Sequence, residues 1–103
     1  MNILGIKIVT GEEIIADVSF TTDGRFKLKN SVQLRIMPPQ RPGAEPSMGF
    51  APFPPLAKQG KDEETLIEPL HIVYTYTPDD VIIDNYRSTF SGIVTPTKQI
   101  ITG

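Results

Sequence analysis

Residues 25–36 hold a single parity for twelve positions. Phe26, Leu28, Asn30, Val32, Leu34 and Ile36 occupy the even places, while Arg25, Lys27, Lys29, Ser31, Gln33 and Arg35 occupy the odd ones. Alternation of this kind is the mark of a β-strand with one side against a core and the other in water. A strand of that length must bend to stay on a small core. The same pattern precedes it: Ile14, Ala16, Val18 and Phe20 alternate with Glu13, Ile15, Asp17, Ser19 and Thr21, and Leu4, Ile6 and Ile8 form an earlier even set. Thr10-Gly11-Glu12 and Thr22-Asp23-Gly24 are turn sequences with glycine available for positive φ. Three-residue loops preserve parity, so Phe20 is expected opposite Phe26, Val18 opposite Leu28, Asp17 opposite Lys29 and Ile8 opposite Ile14. A slip by one residue would put each apolar side chain in water, which fixes the register. Residues 3–37 are therefore expected to form an antiparallel meander with one apolar face.

Beyond this meander the chain changes character. Seven of the ten prolines lie between Pro38 and Pro55, and a charged stretch follows at residues 58–64. The segment 38–65 is expected to be a long loop carrying an edge strand near residues 48–53, where Pro52 is tolerated only at an edge or a bulge. Residues 66–76 read as a last strand. Thr77-Pro78-Asp79-Asp80 is a helix start, with Thr77 as N-cap and Pro78 at the first helical position. Val81, Ile82, Tyr86, Phe90 and Ile93 then recur at helical spacing, and Gly92 ends a helix over residues 78–91. The implied architecture is all-β: one domain over residues 1–103, a five-stranded antiparallel SH3-like or Sm-like barrel with a short C-terminal α-helix.

With 103 residues there is room for one small core. The net charge of −2 excludes a histone-like polycation. The absence of cysteine excludes disulfide scaffolds, Cys-ligated metals and thiol catalysis. His71 stands alone, with no second His or Cys for zinc and no nucleophile for a triad. No phosphate-binding, dinucleotide-binding or hydrolase motif occurs. No enzyme activity, metal, cofactor or small-molecule substrate is therefore expected, and nothing in the chain reads as a membrane span or a signal peptide. The expected location is the cytoplasm, that of the host cell if the chain is phage-encoded.

Ile6-Lys7-Ile8-Val9-Thr10-Gly11 ends the first strand in glycine, Ala16 stands five residues on and Val18 two after that. In this spacing the first third of the chain resembles the Sm and Sm-like RNA-binding proteins, with Ala16 at the second glycine of their first motif and Val18 at the apolar place after it. Asp23 lies one residue late in the loop, Arg25-Phe26 replaces the Met-Asn pair, and the second motif ending in Arg-Gly is absent. The stretch from Thr10 to Ala16, the Leu28-Lys29-Asn30 step, Tyr86 and Ser91-Gly92-Ile93-Val94-Thr95-Pro96 are similar to small uncharacterised Sm-like proteins of marine tailed phages.

The resemblance implies a homo-oligomeric ring that binds single-stranded RNA, or DNA, through loops repeated around it and takes part in RNA or DNA processing. Phe50, Phe53, Ile72, Tyr74 and Tyr76 are the edge residues expected at the subunit interface. Arg25, Lys27, Lys29 and Arg35 share one side of the long strand and are candidates for phosphate contacts, although Asp17 and Glu13 are placed to neutralise part of that stripe. Asp23 and Phe26 lie where the family holds bases, but Phe26 has core parity and the loop is equally a plain hairpin turn. Asn30, polar at a core position, either bonds backbone at a strand bend opposite Ala16 or lines a pore. Lys58 and Lys61 are further candidates on the second loop. The alternative is a structural or adaptor ring, without nucleic-acid binding, for phage assembly or host interaction.

Overall fold

The computed structural model describes residues 2–58, 60 and 62–90. Among them run six strands: β1 (Ile3–Ile8), β2 (Glu13–Phe20), β3 (Phe26–Met37), β4 (Ser47–Pro52), β5 (Glu64–Ile67) and β6 (Ile72–Tyr76). A single 3-10 turn at Pro69–His71 joins the last two strands, and one helix, α1 (Asp80–Phe90), follows them. All pairings are antiparallel, in the order β4-β3-β2-β1-β6. The sheet is barrel-like but not closed: among the described residues no pairing joins β6 back to β4 or β5.

The sixth strand is β5, which the sequence presents as the end of a charged loop. It pairs with the first part of β3, Lys29 opposite Glu64 and Phe26 opposite Ile67, while β4 pairs with the last part, Val32 opposite Pro52 and Met37 opposite Ser47. Because β2 holds the other edge of β3, β4 and β5 lie end to end along the same edge. The run 66–76 is thus broken into two strands by the proline-started turn.

The second hairpin has the expected register, with Phe20 opposite Phe26, Val18 opposite Leu28 and Asp17 opposite Lys29. Thr21 N donates to Arg25 O at 2.9 Å and Gly24 N to Thr21 O at 3.1 Å; Gly24 sits at φ +91°, which favours glycine. The first hairpin differs. Ile14 lies opposite Ile6, not Ile8, because the three-residue loop is Val9-Thr10-Gly11 and not Thr10-Gly11-Glu12: Ile8 N donates to Glu12 O at 3.2 Å and Gly11 N to Ile8 O at 2.9 Å. The shift is by two residues, so the faces of both strands are those expected.

The largest departure is at Asn30. Between Ile15 and Asp17 β2 advances two residues, while β3 advances three, from Lys29 to Val32. The extra residue makes a β-bulge with Asn30 at φ +52°, a left-handed conformation that Asn tolerates better than other side chains. The bulge reverses the parity of β3. Leu28 belongs to an inner core with Ile6, Ile8, Ile14, Ala16 and Val18, against which Phe26, Phe53, Ile67 and Ile72 pack. Val32 instead joins Ile3, Ile15 and Tyr86 on the opposite side, with Phe50, Ile82, Ile83 and Phe90 around them. The sheet therefore has two apolar sides instead of the one implied by the parity count, and α1 covers the second.

The helix begins later than its sequence suggests. Asp79, not Thr77, is the N-cap: its carboxylate accepts from Val81 N at 3.0 Å and its carbonyl from Ile83 N at 3.0 Å. That phase turns Ile83 to the sheet and leaves Val81 59% exposed. Gly92 and Ile93, expected to end the helix, lie outside the described residues.

Candidate nucleic-acid interface

The 21–25 loop satisfies itself. The Thr21 hydroxyl donates to Asp23, Arg25 N donates back to Thr21 Oγ1 at 2.9 Å, and Arg25 Nε lies 3.4 Å from Asp23. The Thr21 hydrogen bond, with Arg25 assisting, holds the Asp23 carboxyl below the usual carboxylate range. Arg25 also reaches Glu68, at 3.9 Å, just past β5. Phe26 is half-buried against the inner core, its ring edge-on to Phe20 at 4.9 Å between centroids. It is Phe20 that offers an exposed aromatic surface here, at 56%.

The bulge divides the basic stripe. Lys27 and Lys29 lie on the side of β3 that carries Asp17, whereas Arg35, past the extra residue, lies on the other side. Lys29 sits opposite Asp17 in register, yet its ammonium pairs with Glu64 at 3.9 Å, while Asp17 accepts from Asn2 N at 2.9 Å. Lys58 pairs with Glu63 at 3.8 Å and Lys7 with Glu13 at 3.6 Å. Among the described residues, Lys27, Arg35, Arg41 and Arg87 hold no ion pair. Lys61 lies outside the described residues.

No protein-family model and no curated protein matches the chain.

Of the five residues expected at a subunit interface, three are used inside the subunit: Phe53 and Ile72 pack on the inner core and Phe50 on the outer one. Tyr74 and Tyr76 lie side by side on β6 and hold Glu13 from two sides, their hydroxyls donating at 3.2 and 2.7 Å. Tyr76 crosses directly over Gly5, where a Cβ would overlap its ring. Burial, with the Glu13 carboxylate beside it, pushes the Tyr76 hydroxyl well above the ordinary tyrosine value. Exposed apolar side chains lie elsewhere, at Ile36, Met37 and Met48 on the β3–β4 arm and at Leu70 and Val73 around β6.

The bulge also organises the centre of the molecule. Tyr86, wholly buried, reaches across from α1 with its hydroxyl 2.9 Å from Asn30 O and 3.3 Å from Lys29 O. Burial raises its pKa strongly. On the far side of the bulge a cavity of about 250 Å³ is lined by Asn30, Ser31, Phe53, Lys58, Glu63, Glu64 and Thr65, among others. Ser31 Oγ donates to Phe53 O at 2.6 Å, tying β3 to the start of the 53–63 excursion. Asn30 was legible as a polar residue in an apolar series, Lys29 as part of the basic stripe and Lys58 as a loop cation. Glu64 and Glu68, which pair with Lys29 and Arg25, give no local signal, because their proximity depends on a strand pairing across more than thirty residues of chain, whereas Glu63 meets Lys58 within one loop.

Proposed function

We propose that this protein is an Sm-like ring former, of the kind found in marine phages, that binds single-stranded nucleic acid, RNA more than DNA, in the cytoplasm. The observation that carries the ring is the pair of open edges. Among the described residues, β6 has no strand on its outer side, and neither β4 nor β5 has one on theirs. Unpaired backbone donors and acceptors at the two ends of one sheet are a head-to-tail pairing surface, and such contacts close into rings. The flanking exposed side chains, Met48 at one edge and Val73 and Tyr74 at the other, add apolar area to that contact. Lys27, Arg35 and Arg41 supply cations that hold no ion pair among the described residues, and repetition around a ring multiplies weak contacts through effective concentration.

A second reading, a structural or adaptor ring, is favoured by one observation: Lys7, Arg25, Lys29 and Lys58 all have acidic partners. Size exclusion with light scattering, run with and without a short single-stranded oligonucleotide, separates the two. A closed oligomer that shifts on the oligonucleotide at low salt and loses the shift at high salt supports nucleic-acid binding. A closed oligomer indifferent to RNA and DNA moves the reading to the adaptor. A monomer of about 11 kDa removes both.

A further inference from the structure

We propose that the cavity walled by the Asn30 bulge, Phe53, Lys58 and the Glu63–Thr65 stretch receives one unstacked nucleobase bearing an exocyclic amine, with Asn30 and Glu64 reading its edge. The proposal rests on the nucleic-acid reading and adds a base preference to it.

Three observations converge on it. The first is size. At about 250 Å³ the cavity falls just below the ~300–1,000 Å³ typical of drug-sized ligand sites, so it suits a single heterocycle and not a stacked pair.

The second is the state of its polar groups. The Asn30 carbonyl is taken up by Tyr86 on the helix side. Its side-chain carboxamide makes no hydrogen bond among the described residues, and neither does the Thr65 hydroxyl, so a donor, an acceptor and a hydroxyl remain for a ligand. The left-handed backbone at Asn30 is held by the bulge and by Tyr86, so the amide is carried on a fixed piece of main chain.

The third is charge. Lys58 is balanced by Glu63 at 3.8 Å and Lys29 by Glu64 at 3.9 Å. With each carboxylate paired to a lysine the cavity offers a phosphate no unpaired cation, while the carboxylate oxygens favour a neutral ring that donates. An ionised carboxylate in an ion pair still has acceptor sites free. Carboxylates accept from the amine of cytosine, and a carboxamide pairs with the amine and adjacent ring nitrogen of adenine. Uracil has carbonyls where those bases carry an amine, and it would turn an acceptor toward Glu64. Single-stranded RNA is commonly read in this way, with bases splayed out and bonded along their edges. Lys58, 82% exposed at the mouth, is placed for the backbone phosphate outside.

The test is fluorescence anisotropy of the full chain with short labelled oligo-A, oligo-C and oligo-U at low salt, with unlabelled AMP and CMP as competitors. The expected result is that oligo-A and oligo-C bind about tenfold tighter than oligo-U, in line with one good edge contact. Asn30→Gly should abolish that ratio. Glycine adopts positive φ freely, so this variant keeps the bulge, and a thermal melt run alongside confirms that it is folded. Glu64→Gln should reduce the ratio for oligo-C most. Equal binding of all three oligonucleotides, or a ratio unchanged in Asn30→Gly, overturns the cavity assignment and leaves nucleic-acid binding standing. Displacement of a fluorescent AMP by unlabelled AMP and CMP, with no oligonucleotide bound, keeps the assignment for free nucleotides and removes the nucleic-acid reading. No binding of any probe removes both.

Discussion

The two sides of the sheet are built on different terms. The inner core is assembled from neighbours in sequence: Val18 against Leu28 across one hairpin, Ile6 against Ile14 across another. The outer side needs Ile3 from the first strand, Ile15 from the second, Val32 from beyond the bulge, and a helix that starts at residue 80. One side follows from local alternation and short turns. The other exists only if an extra residue reverses the parity of β3 and a tyrosine locks the reversal from above. Packing that depends on a switch in strand phase is therefore more conditional than packing that depends on phase being kept.

The largest effect should come from the inner side. Leu28→Ala, at a wholly buried position, should cost about 2–5 kcal/mol in chemical denaturation, and a cost under about 1 kcal/mol would mean that this side is not the main core. On the outer side, Tyr86→Phe keeps the ring but leaves the Asn30 and Lys29 carbonyls without their donor. It should cost about 1–3 kcal/mol and increase amide hydrogen exchange around residues 29–32 more than in β1.

Gly5→Ala would drive a methyl group into the Tyr76 ring. A loss of about 1–3 kcal/mol is expected, with the Tyr76–Glu13 hydrogen bond broken; an unchanged melt would show that β6 gives way easily. At the bulge itself, Asn30→Val should cost about 1–3 kcal/mol for a β-branched residue held at positive φ, while Asn30→Gly should stay within about 1 kcal/mol of the parent.

The smallest effect is one of pH. Tyr86 and Tyr76 are both raised above the ordinary tyrosine value, so the folded chain keeps protons that the unfolded chain releases. Their contribution is fully present below about pH 10, the ordinary tyrosine pKa, and is lost as pH rises above it. Denaturation midpoints should fall with pH in that alkaline range, and the fall should be shallower in Tyr86→Phe. A midpoint independent of pH there would contradict the burial of both hydroxyls.

The sequence pattern carried the meander, the Phe20–Phe26 register and the C-terminal helix, because each follows from local periodicity or turn chemistry. It was silent on the parity switch for a specific reason. Phe26 and Leu28 before Asn30 and Val32, Leu34 and Ile36 after it are all even-numbered and apolar, so a change of face leaves no trace in the count. Asn30 alone marked the place, as a polar residue in an apolar series. Ile15 and Ile83 likewise looked like exceptions to an alternation and a helical stripe, and both proved to belong to the second side. At the candidate interface, the basic residues of β3 were evident from composition. Their acidic partners on and around β5 were not, since Glu64 and Glu68 meet Lys29 and Arg25 only through a pairing distant in the chain.

β4 and β5 share one edge of β3 end to end, and the chain between Pro52 and Glu64 links them. In effect a single border strand has been cut and a detour spliced into the cut. Both ends of the detour are anchored by main-chain pairing to the same neighbour, so its length is decoupled from the sheet. Doubling a flexible connection adds only about 0.6 kcal/mol in closure entropy. This makes the detour the natural place in the chain for a grafted peptide: foreign sequence can be displayed there while the framework beneath keeps its register.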